Sequence, residues 1–233
     1  MSSTSSLVSS EAWSLDGTVA TSSYATASAI LDLAHPHHGL ELTSGLRAGD
    51  RLLGVDVDGL TDHWLRGPDL AAVYEPRDAR ELRSTVMWRR LESNQEVAAW
   101  ETIVSAQTDR LASGIDLAVR STLAADAVRW LAPAGDVWHD SNNGIPAEAV
   151  ALLVSHHGKP SVLVAVHPAD ARRVEAQATD GRWNVACWLF AASLERGVLL
   201  RSRVLAALGP ADDETWALRL MEAFAASPPP LAT

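Results

Sequence analysis

Val86-Met87-Trp88-Arg89-Arg90-Leu91 and Ala98-Ala99-Trp100-Glu101-Thr102-Ile103-Val104-Ser105-Ala106-Gln107 decide the fold class. In both stretches apolar side chains alternate with polar ones, and tryptophan is set against arginine or glutamate. Period-two alternation is what a half-buried β-strand requires, because successive side chains project to opposite faces of a sheet. The pattern recurs along a chain that holds nine tryptophans in 233 residues. It predicts an extended antiparallel sheet system.

Outward from these two stretches, strand-like runs fall at 27–34, 39–44, 50–58, 63–75, 82–91, 96–108, 117–123 and 127–132. Asp16-Gly17, Asp58-Gly59 and Asp180-Gly181 read as two-residue hairpin turns, since Asp and Gly tolerate the positive φ of a type I′ turn. Residues 133–146, with Asp140-Ser141-Asn142-Asn143-Gly144, read as a loop. The nearly all-apolar runs 150–154 and 162–166 form a hairpin expected to be covered on both faces, and 173–178, 182–191 and 197–207 continue as a meander. Only the C-terminus is helical in pattern. Trp216, Leu220 and Phe224 make one stripe, Asp212-Asp213-Glu214 favours its start, and Ser227-Pro228-Pro229-Pro230 stops it near 226. The expected organisation is a disordered Ser-rich tail over 1–12 and one domain over 13–233.

The net charge is −10, and Lys159 is the single lysine. An acidic chain without a basic run argues against nucleic acid or an anionic membrane as partner. Cys187 stands alone in an apolar strand pattern, so no internal disulfide forms and a buried inert thiol is expected. The N-terminus lacks the basic and apolar regions of a signal peptide, and no run of about 18 apolar residues occurs. The expected location is cytoplasmic.

Many long antiparallel strands, a single terminal helix and the turn-to-strand segment Leu194-Glu195-Arg196-Gly197-Val198-Leu199-Leu200-Arg201-Ser202-Arg203-Val204 together resemble the galactose-mutarotase-like superfamily. The resemblance implies an all-β fold, a large antiparallel β-supersandwich with one C-terminal helix, and a carbohydrate-related role. It is architectural, and no mutarotase or polysaccharide-lyase catalytic motif carries over.

Parity sorts the faces. Val86, Trp88, Trp100, Val104, Leu117, Val119, Val128 and Trp130 occupy the apolar side of their strands, and Trp88, Trp100 and Trp188 are expected in the core. The opposite side carries Thr85, Arg89, Glu101, Ser105, Gln107, Arg120, Thr122 and Arg129. One reading of that side is a solvated surface with weak cross-strand ion pairs. The other is a groove in which Arg89, Glu101, Gln107 and Arg120 bind a saccharide or polyol, with arginine suiting an acidic sugar. Further alternatives are an epimerase or lyase using Glu101 as general base with His63 or His139, and an assembly module pairing through an edge strand as a homo-oligomer. Catalysis is not the favoured reading.

His35-Pro36-His37-His38-Gly39 and His156-His157-Gly158 end in glycine, and adjacent histidines on a strand face opposite ways. Asp56-Val57-Asp58-Gly59-Leu60-Thr61-Asp62 lacks the bidentate glutamate of a calcium loop, since Gly67 stands there. No metal and no cofactor are expected.

Overall fold

A computed structural model describes residues 12–43, 46–75, 82–91, 96–133, 135–170, 173–211 and 213–228, apart from the side chains of 143, 191 and 192. Two antiparallel sheets dominate it. Along the first, in spatial order, lie β1 (Ser14–Asp16), β2 (Val19–Ser23), β3 (Ser28–Asp32), β4 (Leu40–Leu42), β5 (Arg51–Val55), β10 (Ala112–Ala124), β16 (Arg182–Glu195) and β15 (Arg173–Thr179). The second runs β12 (His139–Asp140), β11 (Ala127–Leu131), β13 (Ala151–His156), β14 (Lys159–Val166), β17 (Leu200–Gly209), β9 (Ala98–Thr108), β8 (Leu82–Arg90), β7 (Asp69–Tyr74) and β6 (Leu60–Arg66). The helix α1 (Thr215–Ala226) follows β17. None of the described helices is long and apolar enough to cross a membrane.

The alternation read in the sequence puts one face of each sheet into a shared interior. Trp88, Trp100 and Tyr74 from the nine-stranded sheet join Leu31, Leu52 and Leu117 from the other, all nearly inaccessible to water. Burying each such side chain contributes about 1.5–3 kcal/mol. Their polar atoms stitch the sheets together. Tyr74 Oη donates to the Leu33 carbonyl at 3.0 Å, Trp100 Nε1 to Ser22 Oγ at 3.3 Å, and Trp88 Nε1 to the Leu53 carbonyl at 3.4 Å. Such bonds let large amphipathic rings lie buried without an unpaired donor.

Several local expectations change. The run 63–75 is two strands, because Gly67 takes φ +57° and reverses the chain between β6 and β7. Asp58-Gly59 is no hairpin, since it carries the chain from β5 in one sheet to β6 in the other. Asp180 (φ +53°) and Gly181 (φ +74°) do form the tight turn joining β15 to β16. The stretch 133–146 holds the short strand β12 and a 3-10 turn at Ser141–Asn143. His37 and His38 sit in a 3-10 turn, Pro36–His38, rather than on a strand. The helix begins at Thr215, whose N–H donates to Asp213 at 2.8 Å. Asp212, Pro229, Pro230 and residues 1–11 lie outside the described residues.

Trp188 is the clearest departure. Leu117 pairs with Phe190 but Ala118 pairs with Trp188, so Leu189 is an extra residue on β16. This bulge inverts the alternation. Cys187 and Phe190 both turn to the core, while Trp188 turns outward and is only half-buried. The Cys187 thiol is 2% exposed, and burial pushes its pKa up to about 12.

Across the outward face of the nine-stranded sheet lies α1. A Cβ at Gly209 would collide with the Trp216 indole, so the helix packs directly on the β17 backbone. Glu214, just before the helix, pairs with Arg129 on β11, and Phe224 meets the His167 ring edge-on at 5.1 Å. Ala165, Leu205 and Ala207, on the outward side of β14 and β17, are fully buried beneath it. The part of the face that α1 leaves uncovered is the candidate site.

Candidate functional site

Side chains on directly paired residues share a face, so the strand register lays out the uncovered floor as four rows. The first crosses Arg66, Asp69, Arg89 and Glu101 and ends at Leu205. Next to it run Trp64, Ala71, Met87, Ile103 and Arg203. Asp62, Val73, Thr85, Ser105 and Arg201 form the third row, and Arg83, with Glu75 beside it, and Gln107 the fourth. Trp64 on β6 makes one wall and Leu220, Phe224 and Pro228 make the other, enclosing an open groove of about 1130 Å³.

Each row has its own chemistry. In the first, Arg89 grips Asp69 with two bonds, Nε to Oδ1 at 2.6 Å and Nη2 to Oδ2 at 3.0 Å. Its Nη1 stands 3.8 Å from Glu101 Oε2. Glu101 is 6% exposed, and burial raises its pKa against the opposing pull of Arg89 and Arg203. Asp69 in turn raises the pKa of Arg89. The second row is an apolar strip, Ala71-Met87-Ile103, with the Trp64 indole 40% exposed at one end. In the third, Arg201 Nε donates to Ser105 Oγ at 3.0 Å. Arg203 is buried and immobilised: Nε reaches Asp170 at 3.3 Å, and Nη1 bonds Ser227 Oγ and the Pro228 carbonyl, each at 3.0 Å. This guanidinium therefore ties the end of α1 to the floor.

Three of the four residues singled out from sequence, Arg89, Glu101 and Gln107, line this groove. Arg120 does not. It lies on β10 in the eight-stranded sheet, where its Nε is 2.7 Å from Asp56 and its guanidinium stacks 5.4 Å from the Trp188 ring. Arg173 covers the same indole at 4.9 Å, and the Trp188 Nε1 donates to Glu175 at 2.9 Å. Parity gave Arg120 the correct kind of face on the wrong sheet.

The two histidines considered as partners for Glu101 are also elsewhere. His63 neighbours Trp64 on β6 and faces the opposite way, with Nε2 3.1 Å from the Gly17 carbonyl. His139 stacks on Trp130 at 4.5 Å, five strands from β9 and so roughly 24 Å away. The groove lining among the described residues includes no imidazole. No group of three or more His, Cys, Asp or Glu among the described residues could hold a metal ion.

Sequence reading missed Asp69, Arg66, Arg83, Arg201, Arg203 and Trp64. Arg201 and Arg203 alternate with Ser202 and Val204, a visible strand signal, but nothing in the chain announced that β17 sits beside β9.

No protein-family model matches the chain, and no curated protein matches it. Solved structures do. A crystal structure of a candidate aldose 1-epimerase from Klebsiella pneumoniae subsp. pneumoniae superposes with a TM-score of 0.55, at 9% identity, over 91% of this chain and 86% of that one. A candidate kojibiose phosphorylase from human microbiome aligns with a TM-score of 0.37, at 10% identity, over 85% of this chain and 22% of that one. The first match places the chain in the galactose-mutarotase-like fold.

Proposed function

We propose that the protein binds a saccharide in the groove on the outward face of the nine-stranded sheet. The observation that carries this reading is the banding of the floor. An apolar strip, Ala71-Met87-Ile103, runs between one row of fixed charges and another of hydroxyls and arginine. A sugar ring has an apolar C–H face edged by hydroxyls, and such a strip with polar margins suits it. The solvent-open Trp64 indole is placed as a stacking wall. Glu101 and Arg89 are held by their neighbours before any ligand arrives, which lowers the ordering cost of binding. The fold neighbour's assignment as an aldose 1-epimerase is in keeping with a sugar ligand.

Calorimetric titration with a panel of neutral and acidic mono- and disaccharides tests this. At least one member should bind, and Trp64→Ala should weaken it by about 1–2 kcal/mol, the order of a lost aromatic platform. Absence of binding across the panel removes the reading.

One observation favours catalysis as a second reading. Glu101 is a buried carboxylate whose pKa is raised, as suits a general base. Anomer exchange also needs an acid at the ring oxygen, and the groove offers guanidiniums instead of imidazole. Polarimetry on freshly dissolved α-anomers separates the two. Acceleration lost in Glu101→Gln makes the protein an epimerase, and binding without acceleration leaves it a receptor.

A further inference from the structure

We infer that the saccharide carries an anionic group, a carboxylate or a phosphate, and seats it against Arg201 and Arg83 at the Thr85–Ser105 end of the groove. This rests on the saccharide reading above and adds the ligand's charge and orientation.

The electrostatics of the chain as a whole run the other way. It carries a net charge of −10, yet the groove lining holds five arginines, Arg66, Arg83, Arg89, Arg201 and Arg203, against two carboxylates, Asp69 and Glu101. A cationic groove in an acidic molecule focuses potential where an anionic ligand enters and repels it elsewhere.

The two carboxylates are confined to the first row, where Arg89 lies between them. Beyond the apolar strip, the third and fourth rows line the groove with Thr85, Ser105, Gln107, Arg83 and Arg201, and their carboxylates, Asp62 and Glu75, stand at the β6–β7 edge, away from Arg201. Those five lining residues supply hydrogen-bond donors and guanidiniums, the set that carboxylate and phosphate oxygens accept from. Arg83 meets Glu75 at 3.1 Å, but both side chains are about half exposed (54% and 49%), so the pair is screened and readily exchanged. Glu101 and Ser105 are four residues apart on β9, roughly 14 Å at about 3.4 Å per residue. Arginine and glutamate side chains reach inward across much of that span. A sugar lying on Met87 and Ile103 therefore directs hydroxyls to Glu101 and an acidic substituent to Arg201. The reverse orientation would set an anion against Glu101.

Glucose, glucuronate and glucose 6-phosphate, with a neutral disaccharide and its uronate-bearing counterpart, are the probes, titrated into the full chain by calorimetry. At least one charged probe should bind about 10-fold or more tighter than its neutral partner, and its affinity should fall as salt rises. Arg201→Ala should remove about 10-fold or more of that advantage, costing the charged probe far more than its neutral partner, with Arg83→Ala acting the same way more weakly. Circular-dichroism melts of both variants check folding, and the salt titration of the unmodified protein serves if either unfolds. Which charged probe gains decides between carboxylate and phosphate. Equal affinity for charged and neutral sugars overturns this inference while leaving saccharide binding intact. Failure of every probe removes both.

Discussion

Glu101 is placed where burial and two guanidiniums oppose one another, and burial prevails, so its pKa lies above the ordinary 4.5. The folded chain then holds this proton to higher pH than the unfolded chain does. Stability from this group is fully present below pH 4.5 and is lost as pH rises through the raised value. Glutamine keeps the shape without the titration. Melting temperatures of Glu101→Gln and the unmodified protein, compared from about pH 4 to about pH 8, should diverge in favour of the variant as pH rises. A pH-independent difference would mean that Arg89 and Arg203 fully offset the cost of burial. Trp188 teaches a related lesson at one residue. Its neighbours in sequence predict a core position, yet a single bulged leucine turns it onto Arg120 and Arg173.

At the scale of elements, the strands and their apolar faces were legible because period two is a local property. Val86, Trp88, Trp100 and Val104 are buried as their parity demands. Sheet membership was not legible. β9 and β10 are consecutive in the chain and alternate alike, but they belong to different sheets, and for that reason Arg120 is parted from Glu101 and Gln107. Pairing partners of β9 lie on β8, close in sequence, and on β17, about a hundred residues further on. Arg203 and Arg201, which end the groove's second and third rows, needed that distant pairing to be seen. The helix obeys its stripe of Trp216 and Phe224, but where it docks depends on one small residue. Gly209→Ala puts a methyl group into the Trp216 indole. We expect a loss of about 1–3 kcal/mol, the usual cost of overpacking. Amide exchange over 215–226 should quicken by more than exchange in β8, because the helix is displaced before the sheet opens. Uniform exchange throughout would show that α1 and the sheet unfold as one unit.

At the scale of the molecule, β17 is the keystone of the nine-stranded sheet. β14 lies on one side of it and β9 on the other, and no other described strand joins those halves. β10 does the same in the eight-stranded sheet, between β5 and β16. A chain ending before residue 200 should therefore lack a cooperative melting transition and should bind an apolar dye. A sharp transition in that fragment would show that four-stranded halves stand alone. Pairings so distant in sequence also place refolding of the whole chain in the millisecond-to-second range, as stopped-flow fluorescence of the buried tryptophans can measure.

The central place of β17 has a consequence for how the protein is made. On the ribosome β9 emerges with one edge already paired to β8, while the other waits for a strand roughly ninety residues downstream. At about 5–20 residues per second that is a delay of roughly 5 to 20 seconds. Throughout it, an open row of backbone amides and carbonyls beside the apolar floor is available to any neighbouring nascent chain. Safe production of this protein is thus a race between elongation and self-association, one that slower translation or crowded polysomes would tilt toward aggregation.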